Sequence, residues 1–304
     1  MSSYSQGLPL DSNHESSANE TSVRAIRSFV AALGCDFSRF PLAEDQELLG
    51  AAQRAIRRYV TSDRHCRMLL SRLSLGVGVA AHAYSTYPFN VRLLIAIYTS
   101  LCAYIDDADP KDIAPKLERF AVNFGSGVSH SDSNLDYLAY LLVIELPKFW
   151  GPLAYSCIIK STLDLLSGCV LEGRFPSGFE RQAHEFPSYL RNKTRASEVY
   201  AFFIFPESLF SESTSLGLYG HSIPVIIEYK EYVIGNEKNG LIVSEARVQM
   251  RQPAKKLGEA DEQLQQAYYS FVDGLSAFHI LSKRSRLPEI RISITAGFLN
   301  CSPE

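Results

Sequence analysis

Residues 89–110 read FNVRLLIAIYTSLCAYIDDADP, and this stretch decides the fold class. Its first part, residues 89–105, contains one charged side chain, Arg92. A helix that is apolar almost all round is buried at the centre of a large bundle. The chain shows no regular two-residue alternation and no hairpin signal, which argues against a sheet. The sequence therefore predicts an all-α protein with this segment at its centre.

The rest of the chain is a succession of apolar segments of helical length. Proline and glycine separate them, for example at Pro88, Pro110 and Gly151. There are no internal repeats, no glycine-rich phosphate loop and no nucleophile elbow. The predicted helices are 23–33, 43–61, 67–84, 89–108, 112–124, 134–146, 151–172, 186–204, 222–234 and 258–283.

Composition narrows the class of protein further. The chain has 304 residues, of which 46% are hydrophobic, enough to bury a large core. The net charge of -3 and the pI of about 6.2 give no reason to expect a nucleic-acid partner. No run of about 18 uninterrupted apolar residues occurs, so we predict no membrane span. The six cysteines form no C-x-x-C pair and fit a reducing, cytoplasmic location.

Two parts of different character make up the chain. Residues 1–22 are polar and rich in Ser and Asn, and they lack the basic start and apolar core of a secretory signal. Such a segment cannot offset the entropy of ordering by burial, so we predict a disordered tail. Residues 23–304 are predicted to form one helical domain.

An acidic cluster follows the apolar segment directly, with Asp106, Asp107, Asp109 and Asp112. The negative end of the helix dipole disfavours each acid there by roughly 0.3–1 kcal/mol. Asp106 and Asp109 are three residues apart and are expected to share a helical face. Mg²⁺ binds one or two carboxylates together with substrate phosphates, and would relieve their repulsion. The alternative is a solvated acidic turn that ends a helix, and the motif by itself leaves both interpretations open.

The residues around this cluster resemble a known family. Tyr104-Ile105-Asp106-Asp107 resembles the aspartate-rich motif of class I terpenoid synthases. Residues 186–206, FPSYLRNKTRASEVYAFFIFP, resemble the corresponding stretch of fungal trichodiene synthase-like proteins, as do residues 161–173 and 269–287. The resemblance covers roughly residues 25–290 and is specific as a set.

This resemblance implies a fold, an activity and a set of site residues. The fold is a single-domain helical bundle around a central cavity, and the activity is Mg²⁺-dependent ionisation and cyclisation of a prenyl diphosphate, with farnesyl diphosphate as the expected substrate. Aromatic rings would stabilise the resulting carbocation, with Tyr98, Tyr104, Tyr200, Phe202 and Phe203 as candidates. The implied catalytic residues are Asp106, Arg191, Lys230 and Arg284; the implied substrate-binding residues are Arg191, Lys230, Arg284 and Tyr98; the implied metal ligands are Asp106, Asp107, Asp109 and Glu231.

The chain departs from the family pattern at three places. Pro110 occupies the fifth position of the aspartate-rich pattern, and Ser285 follows Arg284 where the family has Tyr. In the second metal motif, Ile223 and Ile227 occupy the positions of an Asn and a Ser ligand, although Tyr-Lys-Glu at 229–231 is kept. About a dozen residues are absent before Tyr-Lys-Glu by this comparison, so Glu231 is predicted not to face the aspartate-rich motif.

Several alternatives remain open at this point. A catalytically impaired relative would at most bind diphosphate and metal, and a misplaced splice junction would produce the same sequence from an intact gene. A chain-elongating prenyltransferase ranks last, because the second aspartate-rich motif of that class is absent. The oligomeric state is open, a homodimer included, and no nucleic-acid or membrane partner is expected.

Overall fold

The computed structural model describes residues 39–40, 43–175, 189–190, 193–194, 196–213 and 262–281. This part of the chain contains helices and no strand, so the prediction of an all-α protein is confirmed. A π-helical turn, Leu141–Glu145, and a 3₁₀ turn, Leu146–Lys148, follow the α-helix that ends at Tyr140. The α-helices are α1 Gln46–Tyr59, α2 Asp63–Leu70, α3 Leu73–Ala83, α4 Phe89–Asp106, α5 Pro110–Glu118, α6 Phe120–Ser126, α7 Ser133–Tyr140, α8 Pro152–Arg174, α9 Ser197–Phe202 and α10 Glu262–Leu281.

Helix α4 is the central element, as its composition predicts. Thirteen of its residues are buried, and twelve of them form an unbroken run from Leu94 to Ile105. Near its beginning, the Arg92 guanidinium donates to Asp45 Oδ2 over 3.0 Å. Asp45 also caps α1, because its Oδ1 accepts a hydrogen bond from the Leu48 amide over 3.0 Å. The one charged residue of α4 thus ties the helix to its neighbour.

Two glycines allow the helices around α4 to approach closely. A Cβ at Gly76 of α3 would lie 2.1 Å from the Ala96 carbonyl oxygen of α4. A Cβ at Gly274 of α10 would lie 2.0 Å from the His82 carbonyl oxygen of α3. No side chain fits at such distances, so glycine is required at both crossings. Helix α3 is therefore held between α4 and α10.

Two predicted helices are each divided in the structure. The predicted segment 67–84 consists of α2 and α3, which separate at Ser71 and Arg72. The predicted segment 112–124 consists of α5 and α6, which meet at Arg119. Neither junction contains proline or glycine, so the sequence carries no punctuation there. Pro110, interpreted as a break, is the first residue of α5, where its missing N–H has no cost.

The apolar character of α4 and α8 has a second consequence. Among the described residues, these two helices are long and apolar enough to cross a membrane by length and composition alone. The core helix of a soluble protein passes the same test, and 67% of the α4 window is buried inside the bundle. For α8 the buried share is 44%. The expectation that no segment spans a membrane stays a prediction.

Three predicted segments lie outside the described residues. They are the tail of residues 1–22 and the helices 23–33 and 222–234.

Candidate active site

The carboxyl end of α4 brings the aspartate-rich motif from the core to the surface. Asp106 is the last residue of the helix and Asp107 its C-cap, and both are exposed, whereas the residues from Leu94 to Ile105 are buried. Asp109 belongs to the start of α5. The expectation that Asp106 and Asp109 share one helical face is therefore wrong, because the helix ends between them.

Two of the predicted metal ligands make contacts that hold helix ends. Asp107 Oδ2 lies 3.2 Å from Arg72 Nε, the residue that precedes α3. Asp109 Oδ1 accepts a hydrogen bond from the Lys111 amide over 2.9 Å and so caps α5. Both contacts are exposed to solvent. The metal-binding roles of Asp107 and Asp109 stay predictions.

Helix α8 brings a further carboxylate to the same end of the bundle. A Cβ at Gly173 would lie 3.2 Å from Pro110 Cβ, so α8 closely approaches the segment that follows Asp106. The neighbouring Glu172 has a pKa raised by partial burial and by the negative charge of Asp106. Cys169 lies one turn earlier in α8. Its pKa is raised to about 12, mainly because the thiol is buried and secondly because of the negative charge of Asp106. Glu172 lies within the family-like segment 161–173, but it was not among the site residues predicted from the sequence.

This pair of carboxylates suits a divalent cation. Like charges that lie close together are stabilised when a cation neutralises them. Mg²⁺ prefers oxygen ligands and takes one or two carboxylates, completing its shell with water and phosphate oxygens. No group of three or more His, Cys, Asp or Glu side chains suited to a metal occurs among the described residues. Two carboxylates such as Asp106 and Glu172 would fit a magnesium ion whose remaining coordination positions are filled by water and phosphate oxygens.

Aromatic rings fill the bundle below Asp106. Tyr98 precedes Asp106 by two helical turns, or about 12 Å along α4. Its ring meets Phe203 edge to face, with the ring centroids 5.2 Å apart, and Tyr200 meets Phe203 in the same way at 6.1 Å. All three side chains are buried. The structure thus brings together three of the five aromatic residues predicted for the interior.

The hydroxyl groups of both tyrosines have hydrogen-bond partners. Tyr98 Oη lies 2.8 Å from Thr162 Oγ1, and Tyr98 is the donor because Thr162 donates its own proton to the Ile158 carbonyl over 2.8 Å. Tyr200 donates to Thr99 Oγ1 over 3.3 Å. Burial raises the pKa of both phenols far above the ordinary tyrosine value. They are neutral at physiological pH, and their polar ends are bound within the protein.

The remaining two aromatic candidates are Tyr104 and Phe202. Tyr104 follows Tyr98 by six residues, which places it about 120° away around α4. Its hydroxyl donates to Asp132 Oδ2 over 2.7 Å, and the residue lines a separate cavity of about 260 Å³ between α2 and α5. Phe202 is buried, and its carbonyl accepts a hydrogen bond from Trp150 Nε1 over 3.1 Å. The expectation that Tyr104 belongs to the same aromatic wall is wrong, since it lies on another side of the helix.

Four predicted site residues lie outside the described residues: Arg191, Lys230, Glu231 and Arg284. The same holds for Ile223 and Ile227 of the second metal motif. The prediction that Glu231 does not face Asp106 therefore stays a prediction.

Comparison with protein families decides the class. The family model described as trichodiene synthase (TRI5) matches residues 52–228, more than half of the chain. The chain belongs to the trichodiene synthase family. The matched residues include the aspartate-rich end of α4 and the aromatic interior, and they end just before Tyr-Lys-Glu at 229–231.

Curated relatives from fungi agree with this membership. An (E)-beta farnesene synthase of Metarhizium brunneum is 28% identical over 243 residues, which cover 69% of this chain and 73% of the relative. Terpene synthase BipA of Cochliobolus sativus is 26% identical over 70% of this chain and 74% of its own length. Alpha-cuprenene synthase COP6 of Coprinopsis cinerea is 25% identical over 84% of this chain and 86% of its own length. These similarities support terpene synthase function, with a prenyl diphosphate as the class of substrate.

Proposed function

We propose that this protein is a sesquiterpene synthase that ionises and cyclises farnesyl diphosphate with magnesium and releases diphosphate. One observation carries the proposal: Asp106 ends a buried helix that packs Tyr98 against Phe203, and α8 closely approaches the segment that follows Asp106. The fifteen-carbon substrate rests on the family resemblance and on a relative named for (E)-beta farnesene.

The acidic end of α4 would hold the magnesium. Asp106 is the proposed principal ligand, and Asp107 and Asp109 follow it on the same exposed segment. With magnesium bound, the site gains Lewis acid chemistry that polarises and orients the diphosphate leaving group. Glu231 is proposed as a ligand from the second motif, and the diphosphate-binding side chains are proposed to be Arg191, Lys230 and Arg284.

The buried aromatic residues would act on the hydrocarbon part of the substrate. Loss of diphosphate leaves an allylic cation, and an aromatic face stabilises a desolvated cation by roughly 0.5–2 kcal/mol. The hydroxyl of Tyr98 already donates to Thr162 and that of Tyr200 donates to Thr99. Because both phenols are neutral and their hydroxyl groups are directed at protein partners, they would offer ring faces rather than an anionic oxygen to the cation. A dry interior also protects the cation from water.

The setting of this activity is also part of the proposal. Residues 23–304 would form one catalytic domain behind a disordered tail of residues 1–22, in the cytoplasm. Neither a nucleic acid nor a membrane is needed as a partner, and a homodimer is compatible with the proposal.

A second candidate function is favoured by the second metal motif. Ile223 and Ile227 carry no oxygen ligand, so they cannot replace the Asn and Ser of the family pattern. A chain with only the α4 half of the metal site would bind diphosphate and metal and turn over slowly or not at all. This candidate keeps the fold and the binding chemistry but loses the reaction.

The test is an incubation of purified protein with farnesyl diphosphate and Mg²⁺, with products identified by gas chromatography–mass spectrometry. We expect a sesquiterpene from the wild type, its loss in Asp106→Asn and its retention in Glu47→Gln. Glu47 is a matched control because it is an exposed acid in the first turn of α1, away from the site. A folded wild type without product supports the impaired candidate, and full activity in Asp106→Asn contradicts the assigned site.

A further inference from the structure

A second polar cluster lies inside the bundle and takes no part in the chemistry described above. Its centre is the Asp132 carboxylate, which has no exposed surface and caps α7 through Oδ1 and the Asn134 amide over 3.0 Å. Oδ2 accepts a hydrogen bond from Tyr104 Oη over 2.7 Å and another from Lys116 Nζ over 2.9 Å. His65 Nε2 lies 3.5 Å from the same oxygen.

These partners come from three different helices. His65 belongs to α2, Tyr104 to the last turn of α4 and Lys116 to α5. Tyr104 precedes Asp106 by two residues, and Lys116 lies on the helix that Asp109 caps. Tyr104 therefore precedes the aspartate-rich segment and Lys116 follows it, and both side chains donate to Asp132 Oδ2. The path of this segment between α4 and α5 depends on where that oxygen sits.

The cluster is built to keep its charge. Hydrogen bonds from Lys116, Tyr104 and the Asn134 amide lower the pKa of Asp132 against the opposing effect of burial. A buried carboxylate with these donors is stable as an anion, and removal of its charge leaves the donors unpaired. Because its partners lie on three helices, this carboxylate holds those helices in one relative position.

We propose that Asp132 is a positioning residue for the magnesium site, acting through Tyr104 and Lys116 on the direction in which α4 presents Asp106. The inference rests on the proposed function, because it assigns a role within that same site. Partners of metal ligands commonly change metal affinity 10–100-fold when they are mutated, because they orient the ligand. Asp132 acts one step further out, by orienting the end of the helix that carries the ligand.

The chain offers a matched control at the other end of α4. Asp45 also caps a helix through Oδ1, and its Oδ2 accepts a hydrogen bond from a side chain of α4, Arg92. It differs from Asp132 in anchoring the beginning of α4, some eighteen residues from the acidic end. Asp45→Asn therefore removes a similar capping carboxylate and ion pair without touching the end that carries Asp106.

A second pair of variants covers the case in which Asp132→Asn does not fold. Tyr104→Phe deletes one hydroxyl and keeps the ring. Its control is Tyr87→Phe, because Tyr87 is also buried and its hydroxyl donates to the Ile204 carbonyl over 2.6 Å. Both substitutions remove one buried hydrogen bond, with the larger loss of stability expected at Tyr104 because its acceptor is charged, and thermal unfolding measures the two losses. Only the first removes a contact near the magnesium site.

The experiment titrates Mg²⁺ at saturating farnesyl diphosphate for the wild type and all four variants, together with thermal unfolding. We expect Asp132→Asn to raise the Mg²⁺ concentration at half-maximal rate about tenfold, with a smaller rise in the same direction for Tyr104→Phe. The control variants Asp45→Asn and Tyr87→Phe should keep the Mg²⁺ dependence of the wild type. A merely structural role would move the unfolding temperature in both pairs and the Mg²⁺ dependence in neither.

The outcomes separate this inference from the proposed function. Equal Mg²⁺ dependence in Tyr104→Phe and Tyr87→Phe overturns the positioning role while turnover upholds the sesquiterpene synthase. If the wild type makes no product, the same comparison is made with thermal stabilisation by Mg²⁺ and inorganic diphosphate. A selective loss of stabilisation in Tyr104→Phe then supports the positioning role although the proposed function has failed. A wild type that shows neither product nor stabilisation overturns both.

Discussion

The crossing of α10 over α3 provides the sharpest test of the packing. In Gly274→Ala, the new Cβ would lie 2.0 Å from the His82 carbonyl oxygen, 2.5 Å from its carbon and 2.7 Å from Ala83 Cα. All three are backbone atoms and cannot rotate away. Ordinary van der Waals contact begins at 3.4 Å. The two helices must therefore separate locally by about 1.4 Å, or α10 must lose its helical structure around residue 274.

The expected loss of stability follows from two opposing effects. Forced overpacking of a core costs typically 1–3 kcal/mol, and a clash against backbone belongs near the upper limit, at about 3 kcal/mol. Replacing glycine by alanine within a helix returns up to about 1 kcal/mol. We therefore expect Gly274→Ala to lower the free energy of unfolding by about 2 kcal/mol. A chain of this size loses roughly 2 °C in Tm for each kcal/mol, so Tm should fall by about 4 °C.

A second glycine supplies the control. Gly125 lies in α6, and a Cβ built there has nothing within 4 Å. Gly125→Ala should therefore keep only the helical benefit, about 0.5 kcal/mol for a residue near a helix end. Thermal unfolding followed by circular dichroism measures both variants. If Gly274→Ala were as stable as Gly125→Ala, the close crossing of α10 and α3 would be refuted.

Three further predictions follow from named contacts. Tyr98→Phe leaves Thr162 without its donor and should cost about 1 kcal/mol in urea unfolding; no loss would mean that the hydroxyl pair does not form. The folded pKa of Asp132 is lowered, so its contribution to stability is present above the ordinary aspartate pKa and is lost as pH falls through the folded pKa. Asp132→Asn should accordingly show a smaller drop in Tm than the wild type between neutral pH and pH 3, and equal drops would contradict this assignment. Cys169, buried and with its pKa raised to about 12, should react with iodoacetamide far more slowly than the half-buried Cys66, as read by mass spectrometry; equal rates would contradict that burial.

The sequence determines α4 well because its signal is local. An apolar run followed by an acidic segment predicts both the burial of the helix and the emergence of Asp106, and the structure ends α4 two residues before the predicted limit. The junction at Arg119 escaped prediction because two adjoining helices with no proline or glycine between them look like one. Pro110 marks a helix boundary as predicted, and α5 begins at this residue, two residues before the predicted start at 112, because proline is favoured at the first helical position.

The site is less predictable because its parts come from distant segments. Whether an aromatic residue of α4 faces the interior depends on neighbours that periodicity alone does not name, and Tyr104 turns toward Asp132, 28 residues later. The sequence signal that could have separated Tyr104 from Tyr98 is their spacing of six residues, which places them on different faces. Glu172 could have been singled out as an acid one turn beyond an apolar stretch of α8, but only the approach of Gly173 to Pro110 shows that it joins Asp106.

The two anchors of α4 bear on how a loss of activity should be interpreted. Asp45 binds the beginning of the helix through Arg92 and Asp132 its acidic end through Tyr104, and both of these contacts lie within the described residues. The departures from the family pattern at Ile223 and Ile227 lie on another segment, and no described contact of α4 depends on them. An inactive wild type should therefore still be stabilised by Mg²⁺ and inorganic diphosphate through Asp106, and Asp106→Asn should abolish that stabilisation. If the wild type were inactive and equally unaffected by these ions with or without Asp106, the defect would lie in the α4 half of the site, and restoring the second motif would not recover the reaction.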